Sequence, residues 1–472
     1  IPARKNISVK LIANFKIMQK ILDLHIHSRY SRACSADLEL PKIAVACEQK
    51  GIDIVSTGDF THPAWIKHIK ENLVEVGNSG VFKLSSRLPA LSLVGAQSRD
   101  PLTSGERDSS TTARFAGASA RRVGMTNESS TRFILGTEIS CIYRHKDATR
   151  RVHLLILAPS VEAVEKFNAI LAAKGVNIRS DGRPIMGLSA KAVLQILLDI
   201  DPRFMMIPAH IWTPWFAVFG SKSGYNSLEE CFEELTPRIR AVETGLSSDP
   251  TMNHRLSALD SITLLSNSDA HSLNNLGREA NVFNLNKNYT YNDILEVIKT
   301  GDRKRFLYTI EFYPEEGKYY YDGHAACKIV LSPKETRAKK FLCPKCKKPV
   351  TVGVLHRVED LADRSNTPPF IPPLKGEGQG VGFIPHKYIV PLKEIIAKVF
   401  GVGVTGKKVK TEYDTMVQNI GNEFYILLKA SDDEILRGIS DKNILLAIKN
   451  VRSGKVKVKP GYDGVFGSVD VV

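Results

Sequence analysis

An α/β barrel with a metal site at its mouth is the fold class this sequence predicts, and three observations predict it. Short apolar runs at 21–27, 52–57, 133–135, 152–158, 205–208 and 263–266 read as strands. Stretches of helical spacing lie between several of them. A His, Asp or Glu stands inside or just after each run: His25 and His27, Asp59 and His62, Glu138, His153, His210, and Asp269 with His271. Ligands at the carboxyl ends of successive strands are the layout of a barrel active site.

Taken in order, His25 and His27 are one residue apart on a strand, so both imidazoles point to one face. That convergence is what a metal site needs. Residues 41–51 have helical spacing, with Ile43, Ala44, Ala46 and Cys47 on one side and Gly51 as a stop. The strand at 52–57 completes a β-α-β step toward Asp59, and Pro63 suits the first turn of the next helix. Residues 85–130, rich in Ser, Arg, Thr, Gly and Ala, break the pattern and read as a disordered or loosely packed insertion. Arg107, Arg114, Arg121 and Arg122 make it a candidate basic arm. The barrel resumes at 133–140 and 151–158, with a hairpin-like turn at 143–147 in which His145 reads as a surface residue. Helices are expected at 161–174 and 189–198, the second capped by Ser189.

Beside His210, two of the three tryptophans, Trp212 and Trp215, precede Phe216. Such aromatics are either core or, on a loop at the mouth, a platform for a splayed base. Ser221 and Lys222, in a Gly-Ser-Lys-Ser-Gly tract, would cradle a phosphate or form an ordinary turn. Glu243, at the end of a strand over 241–245, is an extra carboxylate for which a structural role is favoured. The helix at 291–300 is the last before the composition changes.

His324-x-x-Cys327 followed by Cys343-x-x-Cys346 has the spacing of a structural zinc ribbon, with His356 as a competitor for the fourth ligand position. Lys345, Lys347 and Lys348 beside the knuckle suit phosphate contacts. Residues 355–364 are helix-like, 365–384 are a Pro- and Gly-rich insertion, and 391–400 and 432–450 are helical. Lys455 and Lys457 alternate with valine, as on a strand with one basic face or a solvated edge.

The net charge of +15 suggests a polyanionic partner, nucleic acid first, against the plainer alternative of a Lys-rich surface. Seven dispersed cysteines argue against a disulfide framework, so a reducing cytoplasm is expected. No apolar run approaches the roughly 18 residues of a membrane span. Met18 is expected as the true start, with residues 1–17 an upstream extension.

The strings DLHIHS, Asp59 with His62, GTE, His153 and SDAH, in this order, resemble the PHP (polymerase and histidinol phosphatase) domain. The resemblance implies a distorted (β/α)7 barrel, three metal ions and phosphoester hydrolysis. Carried over motif by motif, the ligands would be His25, His27, Asp59, His62, Glu138, His153, His210, Asp269 and His271, with Glu138 and Asp269 bridging. Glu138, Asp269 and His271 would form the catalytic group. One departure stands out: many members carry another His where this chain has Arg32-Ala33-Cys34, so one ion's shell is altered or lost.

Longer strings, DLHIHSRYSRACS, PAHIWTPWFAVFGSKSGY, YYYDGHAACKI with CPKC, and TVGVLHRVEDLADR, resemble the endonuclease Q family. The likeness runs from about Met18 to Phe466 outside the two insertions. It implies a barrel over 18–311, a zinc ribbon over 312–364 and a C-terminal α+β domain over 385–472 that contacts DNA. The implied activity is cleavage 5′ of deaminated bases (hypoxanthine, uracil, xanthine) and abasic sites, leaving 3′-hydroxyl and 5′-phosphate ends. The implied cofactors are Zn²⁺ in barrel and ribbon, with Mn²⁺ or Mg²⁺ as active-site alternatives, and the implied partners are damaged DNA and, left open, a sliding clamp. A histidinol-phosphate-type phosphatase is the competing class; it explains the barrel ligands but not the ribbon, the basic tail or the charge.

Overall fold

The computed structural model describes residues 17–86, 129–146, 148–364 and 383–472. Most of both expected insertions, the four arginines of the candidate basic arm, Asp147 and residues 1–16 lie outside the described residues. Along the chain come β1 (Ile17–Asp23), α1 (Leu40–Lys50), β2 (Ile54–Ser56), α2 (Pro63–Asn72), β3 (Leu73–Glu75), β4 (Phe82–Leu84), β5 (Arg132–His145) and β6 (Ala148–Ala158). Next are α3 (Val161–Ala173), β7 (Ile185–Met186), α4 (Ala190–Ile200), β8 (Met205–Pro208), α5 (Leu228–Phe232), β9 (Ala241–Glu243), α6 (Pro250–Asn253) and β10 (Thr263–Leu265). β11 (Ala280–Asn286), α7 (Tyr291–Thr300), β12 (Phe306–Glu311), β13 (Asp322–His324), β14 (Ile329–Leu331), α8 (Pro333–Ala338) and α9 (Val354–Leu361) follow. The chain closes with β15 (His386–Tyr388), α10 (Leu392–Phe400), α11 (Lys407–Asn419), α12 (Glu423–Leu428), α13 (Asp432–Gly438), α14 (Lys442–Arg452), β16 (Lys457–Lys459) and β17 (Ser468–Asp470).

Local chemistry accounts for many of these boundaries. Gly51 ends α1 in the left-handed region, its N–H donating to the Cys47 carbonyl. Pro63 opens α2, the Ser189 hydroxyl accepts from Ala192 N–H at the start of α4, and Thr290 with Asp293 forms a capping box on α7. The expected helix over 432–450 is instead α13 and α14. Ser440 spends its N–H and hydroxyl on the Glu412 carboxylate, 2.7 Å each, which breaks the helix, and Asp441 caps its successor.

The sheet is mixed. β1, β2 and β5 pair in parallel, whereas β5, β6 and β8 pair antiparallel, the β5–β6 hairpin running in register from Leu135 with Ala158 to His145 with Ala148. β9 and β10 form a separate parallel pair, and a parallel bridge between Ile26 and Ala270 sets the segment after β10 beside the end of β1. β11 and β12 extend the sheet antiparallel from the other edge of β1. β15 then pairs in parallel with β12, so residues past the second insertion return to this sheet. Ile389, Leu392 and Ile395 share one apolar core with Ile26, Leu40 and Ile43, each such buried side chain worth about 1.5–3 kcal/mol. A buried ion pair, Lys50 Nζ to Glu423 Oε2 at 3.2 Å, also fastens α12 to α1.

Two buried carboxyls sit where β11 begins and β12 ends. Glu279 Oε2 and both Glu311 oxygens lack a hydrogen bond of normal geometry, although the Thr309 and Ser266 hydroxyls lie near. Burial, then the neighbouring carboxylates, push Glu279 well above the usual range; burial, with Asp249 adding to it, pushes Glu311 up to about 8. Between the ordinary carboxylate range and pH 8 the folded chain holds protons that the unfolded chain releases, so stability falls as pH rises through that window. Glu311→Gln should therefore melt like the wild type at pH 5 and be more stable at pH 8.5, by on the order of 2 kcal/mol.

Candidate metal centre

The chain beyond β1 carries His25 and His27 inward, and residues 22–28 are buried throughout. His27 N–H donates to the Ala270 carbonyl at 3.1 Å, and the Asp23 carboxylate accepts from Ser268 N–H and Oγ, locking the two motifs together. Behind each imidazole stands a carboxylate. His25 Nδ1 lies 3.0 Å from both oxygens of Glu243, and His27 Nδ1 lies 3.1 Å from Asp59 Oδ1. Such partners hold Nδ1 protonated and leave Nε2 as the metal-facing atom.

His25, His27, Glu138 and Asp269 each offer a ligand atom within 4.8 Å of the others, and so do Glu138, His153 and His210. Glu138 belongs to both groups. In the first, His27 Nε2 lies 3.0 Å from Asp269 Oδ1 and 3.4 Å from Glu138 Oε2, and His25 Nε2 lies 3.5 and 3.7 Å from the same two atoms. A tetrahedron around an ion with bonds of 2.0–2.1 Å has edges of about 3.4 Å. His25 Nε2 is buried without a hydrogen-bond partner, which a cation there would satisfy. In the second group Glu138 Oε1 lies 2.8 Å from His153 Nδ1 and 3.2 Å from His210 Nε2. The donors therefore fit divalent ions.

Burial lowers His25, His27 and His210, but the facing carboxylates outweigh it and raise all three, so a cation bound there would displace their protons. Burial would raise the Glu138 pKa, but His153, Arg183 and His25 hold it well below the usual range; His25 and His27 likewise hold Asp269 low. Burial pushes His153 down to about 4, leaving it neutral as a ligand must be. His210, Asp59 and Asp269 have φ of 29°, 47° and 46°, a strain typical of functional sites. The close packing behind His210 needs Gly245: a Cβ there would stand 2.5 Å from His210 Cβ.

Several expected positions fall elsewhere. Asp59 is outside both groups; besides its contact with His27 it accepts from Ser28 N–H, Ser28 Oγ and Ser31 Oγ. His62 is outside too, its Nε2 on the Arg179 carbonyl, its ring stacked on Tyr30 and its Nδ1 buried without a hydrogen-bond partner. His271 stands at the rim, side chain 29% exposed, Nδ1 on the Asp269 carbonyl and ring 4.6 Å from that of His27. Asp269 belongs to one group only, which leaves Glu138 as the shared carboxylate. Glu243, besides holding His25, accepts from His210 N–H and Asn267 Nδ2, and Arg183 donates to Glu138 Oε2 at 3.0 Å. Glu243 has the structural role favoured for it as a strand-end carboxylate, whereas Arg183 lies in no local motif that advertises its role.

The aromatic loop divides. Trp212 is 1% exposed, its Nε1 donating to Asn253 Oδ1, so it is core and not a stacking platform. Phe216 packs 4.6 Å from His153, half-buried Trp215 meets Tyr319 edge-on at 5.7 Å, and Lys318 Nζ lies over both Tyr319 and the exposed Phe466. The glycine-serine tract is no phosphate cradle: Gly220, Lys222 and Gly224 N–H groups are satisfied within the loop, and Ser221 Oγ donates to the Val352 carbonyl. The Lys222 side chain is exposed. His145, expected at the surface, is half-buried with Nδ1 on the Tyr225 hydroxyl.

A third group joins His324, Cys327, Cys343 and Cys346 within 4.8 Å. His356 is buried against Asp322 instead, which removes it as the fourth ligand. Although burial opposes it, the Cys346 and Lys345 N–H groups pull the Cys343 thiol down to about 6, toward the thiolate that metals bind. Lys345, Lys347 and Lys348 are exposed around this knuckle, as are Lys455 and, on β16, Lys457. Among the described residues no helix is long and apolar enough to cross a membrane.

The family model for the MJ0043 C-terminal domain matches residues 391–455. The uncharacterised MJ0043 of Methanocaldococcus jannaschii is 29% identical over 262 residues, 55% of this chain but 31% of that protein, so the chain spans about a third of this relative's length. The uncharacterised YqxK of Bacillus subtilis is 29% identical over 343 residues, 72% of this chain and 79% of that protein. The lesion-specific endonuclease PfuEndoQ of Pyrococcus furiosus superimposes with a TM-score of 0.74 at 27% identity, covering 96% of this chain and 95% of its own. Endonuclease Q bound to a 27-mer duplex with an abasic lesion at its active site gives 0.75 at 28% identity, covering 96% and 97%. The likeness to these endonuclease Q structures runs along almost the whole chain.

Proposed function

We propose that the chain is a metal-dependent DNA repair endonuclease that cuts the phosphodiester 5′ of deaminated bases (hypoxanthine, uracil, xanthine) and abasic sites, leaving 3′-hydroxyl and 5′-phosphate ends. The observation that carries the reading is Glu138, one carboxylate shared by two ligand groups on facing sides. The abasic DNA bound by its structural relative supports the substrate class. On this reading the β1–β2–β5–β6–β8 and β9–β10 ladders together make the distorted (β/α)7 ring.

Imidazole-rich donors suit Zn²⁺ or Mn²⁺ more than Mg²⁺. Ions held there would acidify the attacking water and neutralise charge on the phosphate. The protein's share is orientation: Glu243 and Asp59 aim the two imidazoles, Glu138 sets the spacing of the groups, and His271 stands at the rim within reach of a leaving oxygen. The ribbon group would hold a structural Zn²⁺, and the exposed lysines near it and on β16 would meet the DNA backbone. The Phe216, Trp215, Tyr319, Lys318 and Phe466 side chains lead from His153 to the surface, a route on which a displaced base would stack.

The test is incubation of the purified chain and Mn²⁺ with labelled duplexes carrying one deoxyinosine, uracil or abasic site, beside a small phosphomonoester. Lesion-dependent nicking is expected. Hydrolysis of the monoester alone would favour a small-molecule phosphatase, and binding without cutting a non-enzymatic DNA module. Trp215→Ala should lower deoxyinosine cutting about tenfold, the worth of one stacked base, with metal content unchanged; unchanged cutting would remove Trp215 from the substrate path.

A further inference from the structure

We propose that the open seam between β10 and β12 is a binding site for a hard divalent cation, calcium by its ligand chemistry, held by Glu279 and Glu311. β9 and β10 pair only with each other, and among the described residues no backbone ladder joins β10 to β11 or β12. A side chain bridges the gap instead: Asn281, on β11, accepts from Ser266 N–H at 3.0 Å and donates to the Ser266 carbonyl at 2.8 Å. Beside that bridge stand the Glu279 and Glu311 carboxyls, both wholly buried and close enough to repel one another.

This cluster has more acceptors than protons. Glu279 Oε2 and both Glu311 oxygens have no hydrogen-bond partner, and neither has the Thr309 hydroxyl beside Glu311. Ser266 Oγ faces both carboxyls but spends its one proton on the Ile310 carbonyl, 3.1 Å away. Thr244 Oγ1 likewise faces Glu311 and donates to the Leu265 carbonyl at 3.2 Å. What these two hydroxyls turn to the carboxyls is therefore lone pairs. Among the described residues no cationic side chain hydrogen-bonds to either carboxyl; Arg278, next to Glu279 in the chain, turns to Glu394 at 2.8 Å. Buried acceptors and buried charge both demand a partner, and a cation supplies it.

Oxygen donors alone, two of them carboxylates, match a hard divalent ion whose charge they balance. Calcium takes protein oxygens in flexible geometry at about 2.3–2.6 Å, whereas magnesium keeps several waters and demands an octahedron. Ligands this buried favour calcium. Glu243 and Asp249, the other charges these carboxyls feel, are negative too and add to the pull on a cation. A cavity of about 320 Å³ that touches Thr309, with Asp260 and Asp302 in its lining, gives the ion a way in. Once bound, it would rivet the ends of β9 and β10 to β12 where backbone pairing is missing. Protons are the competing occupant, so calcium must displace them and its affinity should climb with pH.

The test uses the Glu138→Gln chain with its ribbon zinc kept, so that the cage does not compete, in buffer freed of calcium and magnesium. Calorimetric titration with CaCl₂ at pH 8 should find one site, and saturation should raise Tm by about 2–4 °C over matched NaCl. Anomalous diffraction from calcium-soaked crystals should place the ion between Glu279 and Glu311. Adding Thr309→Val, which keeps both carboxylates and nearly the same volume, should weaken binding about 10–100-fold. Adding Glu311→Gln should abolish it. Without calcium that second variant should keep the ranking given above, more stable than its parent at pH 8.5, and saturating calcium should reverse the order. Should it fail to fold, Thr309→Val decides alone. No heat of binding and no shift in Tm would overturn the proposal and leave protons alone on the pair. Calcium located elsewhere, or Thr309→Val binding as tightly as its parent, would overturn it too. No DNA is involved, so the outcome is independent of the endonuclease reading.

Discussion

Glu138→Gln should abolish cutting and empty both ligand groups together, because Glu138 gives Oε2 to one and Oε1 to the other. A bound ion contributes several kcal/mol of charge stabilisation, so the expected loss in kcat/KM is about 10³-fold or more. The change is nearly isosteric, and Arg183 can still donate to the amide oxygen, so the fold should persist. Far-UV circular dichroism with elemental analysis separates the cases. Retention of ions in either group would mean that Glu138 is not the shared ligand.

Cys343→Ser should have the second large effect, on folding rather than chemistry. The apolar cluster around this knuckle consists of Leu331, Cys343 and Val350, with Cys327 and Ile329 packed on it. That is too little to order the segment, and structural zinc contributes about 10–16 kcal/mol in isolated zinc-finger peptides. The variant should lose one Zn²⁺ and become protease-sensitive at 324–352, while the sheet, whose core lies elsewhere, resists. Limited proteolysis followed by mass spectrometry reads this directly. An intact segment after zinc loss would count against a structural ion.

What the sequence disclosed was set by the range of the interaction involved. His25 and His27 converge as alternation predicts although β1 ends at Asp23, the His324, Cys327, Cys343 and Cys346 group follows from Cys and His spacing, and α1 and α4 follow from the Gly51 stop and the Ser189 cap. Contacts between distant segments were opaque. Trp212 reads as a mouth residue until Asn253, forty-one positions on, buries its indole. Asp59 and His62 read as ligands because their motif is intact, yet the turn at 181–184 packs against Asp59, and His62 turns Nε2 to the Arg179 carbonyl while its Nδ1 stays buried without a hydrogen-bond partner. Glu243 shows in the sequence only as an extra carboxylate at a strand end and Arg183 carries no local signal; what they do appears once His25 and Glu138 are beside them.

The return of β15 to β12 has a practical consequence for anyone dissecting this molecule. A fragment ending near residue 311 would leave Phe306–Glu311 as a naked outer strand, its backbone groups free to recruit the same strand of a neighbour. Such a fragment should clump on expression, so the catalytic half is better studied by point substitution than by excision.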